Sequence, residues 1–282
     1  MRTFGVDIHR RFAEVAVHED GRTSRVGRIE LGQLDAFANS LTAEDVVVIE
    51  STSITWAVVE RLDAHAGRVI VSNPLKTKAI ASAKVKTDKV DARVLAELGA
   101  SGFIAEVWVP GPELRALRRR VAHRARLVSE KRRHRNQVHA VLARNLVEVA
   151  VTDLFGKKGR RALRQIELPD SEREQVDATL RLHDAVEAEL AVLERSLSKI
   201  ALASAEVRRL MTIPGIGAVT ALGLLALIGD IGRFPTSRHL VGYLGLDPRV
   251  RQSGDRQART GRISRQGQAR ARSLRRVSDG AS

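Results

Sequence analysis

The amino-acid sequence predicts an α/β domain first, a mixed sheet with helices on its faces, then a helical arm and a small, mostly helical C-terminal part. Three observations carry this. Strand and helix signals alternate over residues 1–110. A densely basic stretch with helical spacing follows, and after it an apolar seam leads to a glycine-containing turn and an apolar helix.

Each element has its own signal. FGVDI and AEVAVHE have the composition of strands, and the Asp20-Gly21 turn leads into a third, RVGRIEL. Leu31, Leu34, Phe37, Ala38 and Leu41 recur at helical spacing. DVVVIES is a β-branched run of the kind buried within a sheet. Thr52 or Ser53 is placed to cap a helix running to about Ala66 and closed by Gly67. RVIVSN is a further strand, ended by Asn73-Pro74, and a helix begins near Thr87 with Val90, Val94, Leu95 and Leu98 on one side. The resulting order β-β-β-α-β-α-β-α is that of a ribonuclease-H-like fold.

Residues 111–205 are different in kind. From Glu113 to Arg144 there are eleven Lys and Arg against two acids, Glu113 and Glu130, with a broken apolar stripe. This predicts a long helix with a strongly basic face. After a loop expected around Gly156 and Gly159, Val186, Leu190, Leu193, Leu197 and Ile200 form an a/d seam, predicting a coiled-coil arm. The seam is compatible with folding back on the basic helix or with pairing to another chain. Residues 206–282 form a third part, opening with IPGIGAVTALGLLALIG and continuing Gly- and Arg-rich. The uncharged run Met211–Gly229 approaches the roughly 20 residues that span a bilayer. Its Pro214, Gly215 and Gly217 leave only Ala218–Ile228 as a clean helix, so a buried helix of a soluble protein is expected.

Composition narrows the function. With 48 Lys and Arg against 33 Asp and Glu, the formal charge is +15, which favours a polyanionic partner bound with counterion release. Aromatic residues make up only 3% of the chain, which disfavours single-strand recognition by stacking and leaves duplex DNA or folded RNA. The absence of cysteine excludes disulfides, thiolate zinc sites and cysteine nucleophiles. The N-terminus lacks the apolar run of a signal peptide, in keeping with a cytoplasmic location.

Four carboxylates stand out. Asp7 and Glu50 each end a predicted strand, and Asp88 and Asp91 lie three apart at a helix start, on one face. Any one of them alone is compatible with capping or dipole compensation. As a strand–strand–helix set in a basic protein they point to a divalent metal site. Hard oxygen donors select Mg²⁺ or Mn²⁺ rather than zinc, and two ions about 4 Å apart would clamp a phosphodiester.

Ser253 lies among Arg249, Arg251, Arg256 and Arg259, a setting suited to a phosphate target and equally compatible with a simple turn. Ser264 competes with it in another basic setting. Gly215 and Gly217 either let backbone N–H groups approach a phosphate or merely permit a tight lead-in to the next helix. The candidate nucleic-acid contacts are Lys84, Lys86, Arg118, Arg119, Lys131, Arg132, Arg133, Arg135, Gly215, Gly217, Arg251, Arg256 and Arg265.

The segments GVDIHRR, VVVIEST, NPLKTKAIASAKVKTDKVDARVLAEL, IPGIGAVTALGLLALIGDIGRF and YLGLDP…QSG…GRISRQG together resemble the DEDD-type transposases of bacterial insertion sequences. More narrowly they resemble the "one-ten" insertion-sequence family, whose N-terminal domain is similar to the RuvC resolvase. The motifs occur in family order over about residues 4–276. The resemblance implies metal ligands at Asp7, Glu50, Asp88 and Asp91 and a DNA-linking nucleophile at Ser253. It also implies donor and target DNA as partners, a structured noncoding guide RNA, and dimers assembling into a tetramer. In that assembly the RuvC-like domain of one chain completes a site with the transposase domain of another, in the bacterial cytoplasm at the nucleoid. Where the family continues past the position of Leu274 with a further helix, this sequence runs VSDGAS, the pattern expected of a C-terminally shortened copy. Two other readings fit the residues: a RuvC-like structure-selective nuclease, and an inactive copy that only binds nucleic acid.

Overall fold

Short β-branched runs bounded by turn residues build the N-terminal sheet of the computed structural model, which describes residues 1–80, 87–251 and 259–263. The chain folds into two units, Met1–Val109 and Pro110–Ser282, and each is taken by itself.

In the first unit the strands are β1 (Thr3–Ile8), β2 (Phe12–Glu19), β3 (Arg22–Glu30), β4 (Val46–Glu50) and β5 (Arg68–Ser72). They lie in the order β3-β2-β1-β4-β5. The first three form an antiparallel meander, whereas β4 runs parallel to β1 and β5 parallel to β4. The turn between β2 and β3 has Asp20 and Gly21 both at positive φ, 50° and 74°, as a tight hairpin requires. The helices are α1 (Leu34–Asn39), α2 (Thr55–Leu62), α3 (Pro74–Ile80) and α4 (Asp88–Ala100). This mixed α/β arrangement is compatible with a ribonuclease-H-like domain.

Both faces of the sheet are covered, which is why VVVIE reads as an unbroken apolar run. Phe4, Val6, Ile8, Val47, Ile49, Val69 and Val71 enter one core with Leu34, Phe37, Val58 and Leu62 of α1 and α2. The opposite face meets α4 through Ala16, Ala92 and Ala96, and through Val48, Ile70 and Leu95. The expected apolar stripe of α4 is therefore rotated. Ala92, Leu95 and Ala96 are buried, while Val90, Val94 and Leu98 are half-buried, because the sheet offers this helix small residues. A Cβ on Gly5 would lie 2.0 Å from the Ala92 carbonyl oxygen and 2.4 Å from the Ala96 nitrogen. Only glycine admits so close an approach.

Two boundaries differ from expectation. Helix α2 begins at Thr55 and ends at Leu62, and neither Thr52 nor Ser53 caps it. The Thr55 hydroxyl holds that turn instead, accepting from the Thr52 N–H at 2.6 Å. Asn73-Pro74 not only ends β5 but starts α3, with Asn73 Oδ1 accepting from the N–H of Leu75 at 3.1 Å.

The second unit is built on α5 (Pro112–Arg144) and α7 (Asp170–Ala203). They lie antiparallel along each other. Arg124 Nε donates to Glu194 at 2.8 Å, Lys131 Nζ donates to Glu187 at 2.6 Å, and Arg144 bonds Glu172, so numbering rises on one helix as it falls on the other. Of the two arrangements open for the apolar seam, packing within the chain is present.

Two apolar cores hold the pair. Val138, Val141, Leu142, Leu154, Leu163 and Val176 form one. It draws in α6 (Lys157–Gln165), a helix where a loop was expected. Gly159 is tolerated there because a Cβ would lie 2.3 Å from the Leu154 carbonyl oxygen. The other core joins Leu117, Val121, Leu197 and Ala201 to α8 (Ala205–Leu210) and α9 (Ala218–Ile228). The residues just after position 206 thus share a core with the arm. Helix α10 (Ser237–Leu244) and an antiparallel pair, β6 (Pro248–Arg251) and β7 (Arg259–Ile263), follow. Among the described residues no helix is long and apolar enough to cross a membrane.

Candidate metal centre and nucleic-acid surface

The side-chain alternation of strands decides which acids meet. Gly5 faces α4, so Asp7, two residues on in β1, faces the same way. The methyl of Val48 likewise meets α4 at Gly99, which puts Glu50 on that face too. The parallel register runs as far as Val6 with Ile49, and Asp7 and Glu50 are the next residues on these two neighbouring strands. Helix α4 enters above them. Thr87 caps it by accepting from the Val90 N–H, and Asp88 and Asp91 occupy its first turn.

Asp7, His9 and Asp88 present ligand atoms all within 4.8 Å of one another. His9 Nε2 lies 3.0 Å from Asp7 Oδ2 and 3.4 Å from Asp88 Oδ2. Asp91 is near enough to act on Asp7 by charge. Burial pushes the Asp7 carboxyl up, His9 pulls it back, and the charges of Asp91 and Asp88 push it up again. A buried carboxylate that two like charges disfavour is the electrostatic state a bound cation relieves. The donors are hard oxygens with one imidazole, which fits a divalent ion.

Sequence reasoning passed over two residues of this face. His9 is one; a histidine two positions after a strand-end aspartate was the available signal. Glu14, directly opposite Asp7 on β2, is the other. Its carboxylate accepts from Arg28 Nε at 2.9 Å and Arg25 Nη2 at 3.0 Å. Burial raises its carboxyl, but the two arginines outweigh this and hold it below the usual range. Glu14 is therefore satisfied by protein cations. In a second cluster, His183, Asp184 and Glu187, the two carboxylates are likewise paired with protein cations, Asp184 with Arg160 and Glu187 with Lys131, while His183 Nε2 is buried without a hydrogen-bond partner.

The predicted nucleic-acid contacts separate by environment. Arg119, Arg132 and Arg133 are exposed on α5. Arg118 instead donates to the carbonyls of Ala226 at 2.6 Å and Leu227 at 3.1 Å, closing the C-terminal end of α9. Lys131 pairs with Glu187, and Arg135 lies over the Phe155 ring and 3.4 Å from Asp153. Gly215, at φ 84°, and Gly217, preceding α9, are both exposed. Arg251 ends β6. Ser253, Lys84, Lys86, Arg256 and Arg265 lie outside the described residues.

Two family models match. A transposase model, DEDD_Tnp_IS110, covers residues 4–145, and the model for the transposase IS116/IS110/IS902 family covers residues 207–274. The chain belongs to the IS110 family of transposases. The first match spans all four carboxylates and the second spans the position of Ser253. Among curated proteins, the chain is 29% identical over 279 residues to a putative transposase, y4qE, of Sinorhizobium fredii, covering 96% of the chain and 69% of that protein. It is 40% identical over 81 residues to the transposase for insertion sequence element IS1111A of Coxiella burnetii, 29% of the chain and 22% of that protein. A pilin gene-inverting protein of Moraxella lacunata is 28% identical over 217 residues, covering 74% of the chain and 58% of that protein. Membership places the chain's chemistry in DNA transposition and recombination, with cleavage and rejoining of DNA, and the DEDD family generally uses a divalent metal.

Proposed function

We propose that this chain cleaves and rejoins DNA at insertion-sequence ends with a divalent-metal site, Mg²⁺ or Mn²⁺, at Asp7, Glu50, Asp88 and Asp91, and a serine nucleophile at Ser253. The observation that supports this reading is the meeting of Asp7 with Asp88, with Asp91 acting on Asp7 by charge and Glu50 following the paired register of the neighbouring parallel strand. When bound, the ion polarises the phosphodiester and neutralises charge developing on its oxygens.

The chain's own residues do the rest. Asp7 and Glu50 fix one side of the site from the sheet, and Asp88 and Asp91 the other from α4. Ser253 Oγ gives up its hydroxyl proton and bonds to the scissile phosphorus as the bond to the leaving nucleotide oxygen breaks, and that oxygen takes up a proton in exchange. The reverse step with a second DNA end rejoins the strand and frees the serine. Exposed Arg119, Arg132 and Arg133 contact phosphates, and Lys84, Lys86, Arg251, Arg256 and Arg265 extend this basic character. A structured guide RNA specifies the DNA, and the α5–α7 arm serves assembly of dimers into a tetramer.

The test is a covalent protein–DNA adduct formed with Mg²⁺, element-end DNA and the RNA transcribed from the element's flank. Wild type is expected to form it, and Ser253→Ala and Asp7→Ala are expected not to. An undiminished adduct in Ser253→Ala would overturn the serine mechanism. Strand cleavage that survives in Ser253→Ala but not in Asp7→Ala would identify a hydrolytic nuclease instead.

A further inference from the structure

We propose that His9 is a nitrogen ligand of the metal site, joining Asp7 and Asp88 on one ion and shifting that ion's preference from Mg²⁺ towards Mn²⁺. This rests on the carboxylate site proposed above and adds to it a residue outside the four acids.

The geometry is specific. One nitrogen, Nε2, faces both carboxylates, at 3.0 Å from Asp7 Oδ2 and 3.4 Å from Asp88 Oδ2. Adjacent ligands on an octahedral ion with bonds of about 2.1 Å lie about 3 Å apart. The imidazole and the two oxygens already stand at such spacings, so a cation entering between the carboxylates meets the ring nitrogen as its third corner. A histidine serving only to orient Asp7 would have no reason to aim the same nitrogen at Asp88 on a different element.

The ring is also held in place. His9 follows β1 directly, and its backbone N–H donates to the Phe12 carbonyl at 2.8 Å across the turn into β2. The His9 and Phe12 rings pack with centroids 4.6 Å apart at 32°. On Phe12 lies the Arg28 guanidinium, 3.7 Å from the ring centroid, itself anchored to Glu14. The stack Arg28–Phe12–His9 fixes the imidazole plane without using Nε2. His9 also keeps a third of its side chain exposed, so an ion reaches the nitrogen from solvent.

The chemical consequence follows from donor type. Mg²⁺ takes oxygen ligands and dehydrates reluctantly, whereas Mn²⁺ accepts imidazole more readily. A mixed nitrogen–oxygen shell therefore costs Mg²⁺ more than Mn²⁺.

The experiment is electron spin-echo envelope modulation on the untagged full chain loaded with Mn²⁺, prepared with natural-abundance and with ¹⁵N-labelled histidine. A nitrogen coupling that changes isotope with the label is expected in wild type, retained in Asp184→Asn and lost in His9→Gln. Mn²⁺ affinity should fall about tenfold in His9→Gln, with a smaller change for Mg²⁺. Mn²⁺ bound to wild type without nitrogen coupling overturns the proposal while leaving the carboxylate site intact, and this reading needs no variant to fold. Coupling that persists in folded His9→Gln also overturns it. Undiminished Mn²⁺ binding in Asp7→Asn would instead overturn the carboxylate site itself.

Discussion

Asp7, Glu14 and Asp45 are buried carboxylates of the first unit, and arginines answer the charge of the latter two. At Asp45 burial raises the carboxyl, but the paired bonds from Arg2 and those from Thr42 outweigh it, so the group is held below its ordinary value. A depressed carboxyl stabilises the fold above the unfolded value of about 3.9, and the contribution is lost as pH falls through the folded one. Asp45→Asn should therefore flatten the acid limb of a stability–pH curve below about pH 4 and cost about 2 kcal/mol at neutral pH. The figure is kept modest because Arg2 retains a third of its surface in water. Asp7 has the opposite sign. Its carboxyl is raised, so stability falls as pH rises from the unfolded value through the folded one, and a cation is what reverses this. In chelator, Asp7→Asn is expected to melt higher than wild type. On adding Mg²⁺ at about 100 times its Kd, wild type should gain roughly 2.7 kcal/mol and the variant nothing. A variant that melts lower in chelator and still gains with Mg²⁺ would contradict the assignment.

Between elements, the site depends on how closely α4 lies on the sheet. A methyl on Gly5 would meet backbone atoms of Ala92 and Ala96, which cannot rotate away as a side chain would. Gly5→Ala should push α4 outward, cost about 2 kcal/mol in chemical denaturation, and weaken Mg²⁺ binding with every carboxylate still present. Unchanged metal affinity would show that α4 does not set the spacing of the acids. Sequence legibility divides at this scale. The strand-end and helix-start positions of the four acids could be read directly, because alternation and capping are local. The rotation of α4 could not, since it follows from Gly5 and Ala16 lying opposite Ala92 and Ala96 across long sequence separations. His9 and Glu14 were missed for the same reason. One bridges two elements, and the other's partners, Arg25 and Arg28, come from a neighbouring strand. Helix α6 escaped because two glycines read as loop, while a backbone contact at Leu154 made one of them compatible with a helix.

For the whole molecule, a formal charge of +15 predicts binding to polyanions but does not say which cations do the binding. In the second unit the structure divides the basic residues of α5 into two kinds. Arg118 is committed to the end carbonyls of α9, and Lys131 to Glu187, whereas Arg132 and Arg133 stand exposed. The two kinds should fail differently. Arg132→Ala combined with Arg133→Ala is expected to leave thermal stability within about 0.5 kcal/mol of wild type. Its slope of log affinity against log salt for duplex DNA should fall by about 2. Arg118→Ala should show the reverse, losing about 1–2 kcal/mol of stability as the last carbonyls of α9 lose their donors, with an unchanged salt slope among molecules that remain folded. Fluorescence anisotropy titrations at several salt concentrations, read beside thermal melts of the same preparations, separate the two. Equal slopes for wild type and the double variant would move the nucleic-acid surface away from this face of α5.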